Sequence, residues 1–150
     1  MAFFFLLVSV LAVVSLPPLR RFALLRTLPD RAAVAMSAGF LVTGVMHFVT
    51  VERFMAMIPP ALPWHRELVY ASGVFEIFGA LGLLLRSTRR WAAYGLAALL
   101  LAVFPANLHI VMSGGSVEGL PQAAWYYWLR IPFQFVFIAW ALWVARRSPE

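Results

Sequence analysis

GVMHFVTVERFMAMIPPALPWHRELVYASGVFE, residues 44–76, carries two histidines, two arginines and three glutamates between apolar neighbours. Its centre, PPALP at residues 59–63, cannot be helical, because proline lacks an N–H donor and restricts the residue before it. The stretch is therefore the end of one apolar helix, a turn, and the start of another. Extended outward, the two apolar runs cover residues 32–51 and 68–85, each close to the ~20 residues that cross a hydrocarbon core of ~30 Å.

The rest of the chain follows the same pattern. Of its 150 residues, 63% are hydrophobic and 12% charged, with a mean hydropathy of +0.87, whereas about a quarter of a soluble domain is charged. We read an all-α integral membrane helical bundle with five spans, at residues 2–16, 32–51, 68–85, 91–112 and 129–145. The first is short and lacks a basic start and an A-x-A-like cleavage site, so we read it as a retained helix rather than a signal peptide. The expected organisation is an N-terminal helix and basic loop over residues 1–31, then a four-helix bundle over residues 32–150.

The net charge of +6 comes from twelve basic residues, all arginine. Nine of them (Arg20, Arg21, Arg26, Arg31, Arg86, Arg89, Arg90, Arg146 and Arg147) fall in alternate loops, against Arg53, Arg66 and Arg130 on the other side. The positive-inside rule then puts the amino terminus outside and the carboxyl terminus in the cytoplasm of a bacterial inner membrane. Arginines so placed point to membrane lipids as partners and not to nucleic acid. There is no cysteine, which excludes a disulfide, thiol catalysis and thiolate metal ligation.

Polar groups in the spans carry the functional expectation. Thr43, His47 and Thr50 share one face of the second span, and Ser72, Gly73 and Glu76 one face of the third. Asn107 and His109 stand in the fourth, Arg130 and Gln134 in the fifth, and Tyr70 near the start of the third. Small and hydroxyl-bearing residues suit helix packing in lipid. Glu76 is different: a charge at the bilayer centre costs ~2.5 to 3.5 kcal/mol, so it must face the interior and be paired or protonated. His47, Arg130, Gln134 and Asn107 are its candidate partners. We expect a polar pocket in the outer half of the bundle and no ionisable residue in the inner half. His47, His109 and Glu76 could make a two-histidine, one-carboxylate metal set, but no helical ligand spacing supports one, and no metal is expected. No nucleotide, hydrolase or heme motif is present.

The runs GVMHF, L-V-Y-x-S-G-x-x-E, TRRWAAYGLAALLLAVFPAN, WLRIPFQ and W-A-L-W resemble the DoxX family of small bacterial membrane proteins, with its MauE branch, over residues 32–144. The resemblance implies a four-helix membrane bundle associated with oxidoreductases, among them a subunit of an archaeal thiosulfate:quinone oxidoreductase. It supplies no catalytic motif, so only positions carry over: His47, Glu76, Pro105, Asn107, Arg130 and Gln134 fall in its recurring segments. The extra first helix and the missing cysteine depart from it, and no cofactor motif is evident. Redox work would need a quinone or a partner's cofactor.

Three functions stay open on these residues. In the first, the pocket binds a quinone or another small amphiphile, with Glu76 and His47 exchanging protons and Arg130, Gln134, Asn107, His109 and Tyr70 contacting the ligand. In the second, the chain is a non-catalytic accessory or assembly subunit of a larger membrane complex. The third is a small proton-coupled transporter.

Overall fold

The apolar runs fold as helices, and no strand forms among the described residues. The computed structural model describes residues 2–114, 117 and 120–148. In chain order the helices are α1 (Ala2–Val14), α2 (Leu28–Val49), α3 (Val51–Met55), α4 (His65–Leu84), α5 (Arg89–Ala102), α6 (Phe104–Met112), α7 (Ala124–Trp128) and α8 (Arg130–Arg147), with two 3₁₀ turns between α1 and α2.

Local chemistry sets the ends of these helices. At the start of α2, the Thr27 hydroxyl accepts from the Asp30 backbone N–H and the Asp30 carboxylate accepts from the Thr27 N–H, a reciprocal box that satisfies two otherwise orphaned donors. This begins the helix four residues before the apolar run does. The pairs α5/α6 and α7/α8 are each one long helix interrupted, at Val103 and Leu129, just ahead of Pro105 and Pro132. Each proline removes an N–H and crowds the preceding turn, so the helix breaks there.

Among the described residues, four helical stretches are long and apolar enough to cross a membrane: Leu28–Val49, His65–Leu84, Arg89–Met112 and Ala124–Arg147. α1 has 13 residues, a rise of about 20 Å, short of the ~30 Å core that a fifth full span would have to cross. It is nonetheless part of the packing. Leu7 is buried, and Phe3 makes edge contacts with Phe40 of α2 and Phe137 of α8 at centroid distances of 5.3 and 4.7 Å. A Cβ on Gly39 would stand 2.8 Å from the Phe3 ring, so glycine there is what lets α1 seat.

The helices close a ring: α2 packs on α4, α4 on α5 and α5 on α8, while α1 fills the gap between α8 and α2. Small residues bring the backbones together. A Cβ on Gly73 would come 2.7 Å from the His47 Cβ and 3.0 Å from the Gly44 carbonyl oxygen, so α2 and α4 touch almost backbone to backbone.

Packing is layered along the ring. One half holds the main apolar core, including Met36 and Phe40 of α2, Leu83 of α4, Leu96 of α5 and Val144 of α8. The opposite end holds a smaller cluster of Met57, Ile110, Val111, Val117 and Tyr127, in which the Tyr127 hydroxyl accepts from the Val117 N–H at 2.9 Å. Between the two lies a polar layer.

One expectation fails at the arginine-bearing end. Asp30 and Arg89 are both buried there, joined at 2.6 Å between Oδ1 and Nη1, and Arg86 reaches the other carboxylate oxygen at 3.3 Å. The inner half is therefore not free of ionisable groups. The capping box carries α2 back to Asp30, and α5 begins at Arg89, so both residues join the bundle instead of the loops. Arg89 is thus a buried residue of the bundle and not the loop arginine that the sequence reading took it for.

Candidate functional site

Glu76 lies twelfth of the twenty residues of α4, near mid-depth, because the helix starts at His65 and not at the first apolar residue. The sequence reading placed it in the outer half. It faces α2, where the Thr43 hydroxyl donates to its Oε2. His47, one turn further along α2, has its Nδ1 3.8 Å from the same oxygen. Side-chain exposure is 13% for Glu76 and 8% for His47.

Hydrogen bonding fixes the state of the imidazole. His47 Nδ1 is 2.8 Å from the Thr43 carbonyl oxygen, which can only accept, so Nδ1 carries the hydrogen and the neutral ring keeps Nε2 as its basic nitrogen. The Phe54 ring stacks on the imidazole at a centroid distance of 3.8 Å. α3 supplies that lid by continuing the chain past the end of α2 at Thr50. Thr43 has one proton and three acceptors in reach, Glu76 and the carbonyls of Gly39 and Phe40. A carboxylate is the strongest of these, since a charge-assisted bond is about twice as strong as a neutral one.

Across the ring, at the same layer, Gln134 bridges the break between α5 and α6. Its carboxamide N–H donates to the Leu100 carbonyl before the break, and its Oε1 accepts from Asn107 Nδ2 after it, at 2.8 Å. A carbonyl cannot donate, so this arrangement fixes which end of the Gln134 amide is nitrogen. Arg130 lies one turn beyond, where its guanidinium donates to the Met57 sulfur at 3.6 Å.

The expected site thus comes together in two groups and not as one pocket. Glu76 has His47 beside it, but Arg130, Gln134 and Asn107 are not its partners. They belong to the other seam, because the α5/α6 break draws Gln134 to its own helix pair. Tyr70 stacks on Phe48, with ring centroids 5.5 Å apart, and His109 stands half-buried in the last turn of α6. Neither joins Glu76. An open apolar groove lies elsewhere, along α4 and α5, and none of these polar residues lines it. No group of three or more metal-ligating residues occurs among the described residues.

Thr43, expected to pack and to hydrogen-bond across helices, does so by donating to Glu76. Asp30 was overlooked, though T-x-x-D at residues 27–30 has the spacing of a capping box.

A family model described as Domain of unknown function (DUF8561) matches residues 36–145, nearly three quarters of the chain. The chain belongs to this family. The match takes in Thr43, His47, Glu76, Asn107, Arg130 and Gln134, so the whole polar layer lies within the DUF8561 region. α1 and Asp30 fall outside it, although Arg89 falls inside. Neither the curated proteins nor the solved structures gave a match to this DUF8561 chain.

Proposed function

We propose that the chain is an integral membrane protein, DoxX-like in organisation, whose polar layer exchanges protons in support of a membrane redox process and takes a quinone-class amphiphile as its ligand. The observation that carries this is the Thr43–Glu76–His47 group at mid-depth between two apolar clusters. An ionisable carboxyl group kept inside an apolar bundle is costly, and Glu76 can take up and release a proton there, with the His47 imidazole beside it, its Nδ1 3.8 Å away and its Nε2 as a second basic site.

Protonation has a defined consequence here. When Glu76 takes a proton, its pull on the Thr43 hydroxyl weakens, and that hydroxyl turns to the Gly39 carbonyl within its own helix. The α2–α4 seam is thereby loosened. In this proposal Arg130, whose described hydrogen-bond partner is a thioether, donates to a ligand carbonyl, and the arginine-rich end faces the cytoplasm of a bacterial inner membrane.

Native mass spectrometry of the protein, extracted from its own membranes in mild detergent, tests the ligand. The proposal expects a stoichiometric quinone-sized adduct that Glu76→Gln and Arg130→Gln weaken. A bare chain in the wild type would overturn it.

A specific feature favours a second reading, that of an accessory subunit without chemistry of its own. Gln134, Asn107 and Thr43 all spend their hydrogen bonds inside the bundle, while Trp64, Trp125 and Trp128 are exposed at one end, where a larger complex could be met. Co-purification of a stoichiometric protein partner without any small-molecule adduct would select this reading.

A further inference from the structure

The groove between α4 and α5 lies away from the polar layer and has a different chemistry. It is an open surface groove of about 740 Å³. Its walls are apolar, with Phe75 and Phe78 on one side and Trp91 and Leu99 on the other. Glycines make it deep: Gly79 and Gly82 take Leu96 and Ala92 of α5 against the α4 backbone, and Gly95 opens onto empty space, since a Cβ built there meets nothing within 4 Å.

Length and charge indicate the occupant. Along α4 the groove runs from Phe75 to Leu85, about 15 Å at 1.5 Å per residue, which is the depth of one leaflet of a ~30 Å hydrocarbon core. It runs toward the arginine-bearing end: Arg86, whose guanidinium also donates to Asp30 at 3.3 Å, follows the groove residue Leu85, and Arg90 precedes Trp91. Trp91 is exposed on this rim, as aromatic residues are at the level of lipid headgroups.

We infer that this groove holds one acyl chain of an anionic phospholipid from the leaflet on the arginine-bearing side, with the headgroup phosphate held at the Arg86/Arg90 end. The inference rests on the membrane reading above but not on the ligand of the polar layer. A fatty chain satisfies an apolar groove of one-leaflet depth, and an anionic headgroup complements the charge at its end. A groove lined this way, running toward the arginine-bearing end of the bundle, favours a lipid with a negative head over a neutral one.

Gly95 provides a test, because it lines the groove, a Cβ added there meets nothing within 4 Å, and leucine favours helix more than glycine does. The protein is reconstituted in nanodiscs of equimolar phosphatidylglycerol and phosphatidylcholine with identical chains, then released and weighed by native mass spectrometry. The expected result is one retained phosphatidylglycerol per chain, reduced at least about tenfold by Gly95→Leu but kept by Gly95→Ala. Arg86→Gln with Arg90→Gln is expected to abolish the preference for the anionic lipid. Equal retention of the two lipids by the wild type, or undiminished retention in Gly95→Leu, overturns the inference. A dimer that Gly95→Leu dissociates also overturns it, since the groove then receives a second copy of the chain. Failure to enter nanodiscs at all would overturn the membrane reading itself, which distinguishes the two.

Discussion

The hydroxyl of Thr43 and the carboxylate of Glu76 meet across a seam where α2 and α4 are separated by little more than Gly44 and Gly73. Without those glycines the helices would stand further apart and the short threonine side chain would not span them. Packing and polar chemistry are therefore coupled: the close approach creates the bond, and the bond fixes the register of the seam.

Thr43→Val keeps the shape of the side chain and removes its donor. It is expected to destabilise the bundle by about 1–3 kcal/mol, the cost of leaving a buried polar group short of a partner. In a Glu76→Leu background the same change is expected to be nearly neutral. Reversible unfolding in mixed micelles, run as a double-mutant cycle, isolates this coupling; equal losses in both backgrounds would show that the two groups do not interact.

Asp30 and Arg89 form a buried pair at the other end of the bundle. Removing one partner strands a charge, so Asp30→Ala is expected to cost about 3–5 kcal/mol, while Asp30→Leu with Arg89→Met recovers most of that. Unfolding midpoints of the single and double variants check both halves of the claim. A double variant no better than the single would mean that the pair itself, and not the stranded charge, supplies the stability.

Gln134→Leu removes the bridge over the α5/α6 break. The expected loss is about 0.6–1.7 kcal/mol, the range found for hydrogen bonds between helices in membranes. Pro105→Ala restores a backbone donor at the break and is expected to offset part of that loss, since proline inside a helix costs ~3 kcal/mol. Thermal melts of the two single variants and the double variant decide whether the bridge and the break are linked in this way.

Much of the architecture was legible because it depends on hydropathy and proline, which act locally. The apolar runs gave the four long helices to within a few residues, and the prolines at residues 59–63 marked the turn between α2 and α4. What escaped depended on partners distant in the chain. Arg89 looks like a loop arginine until Asp30, fifty-nine residues away, is folded against it. Gln134 and Glu76 both sit on inward faces, and helical periodicity cannot say which seam each face enters; that follows from the order of helices in the ring. The loop after α6, residues 113–122, where glycines and a proline predict a turn between helices, lies partly outside the described residues.

Proton exchange at Glu76 is the central claim, and infrared difference spectroscopy of the protein in lipid nanodiscs measures it most directly. A pH titration is expected to show a protonated-carboxyl band that appears and disappears reversibly and is absent in Glu76→Gln, while in Thr43→Val the ionised-carboxylate bands, and not the protonated one, change frequency because the carboxylate has lost its hydrogen bond. A spectrum that does not change with pH, or a titrating band that survives Glu76→Gln, would contradict the account and leave Glu76 as a fixed strut between α2 and α4.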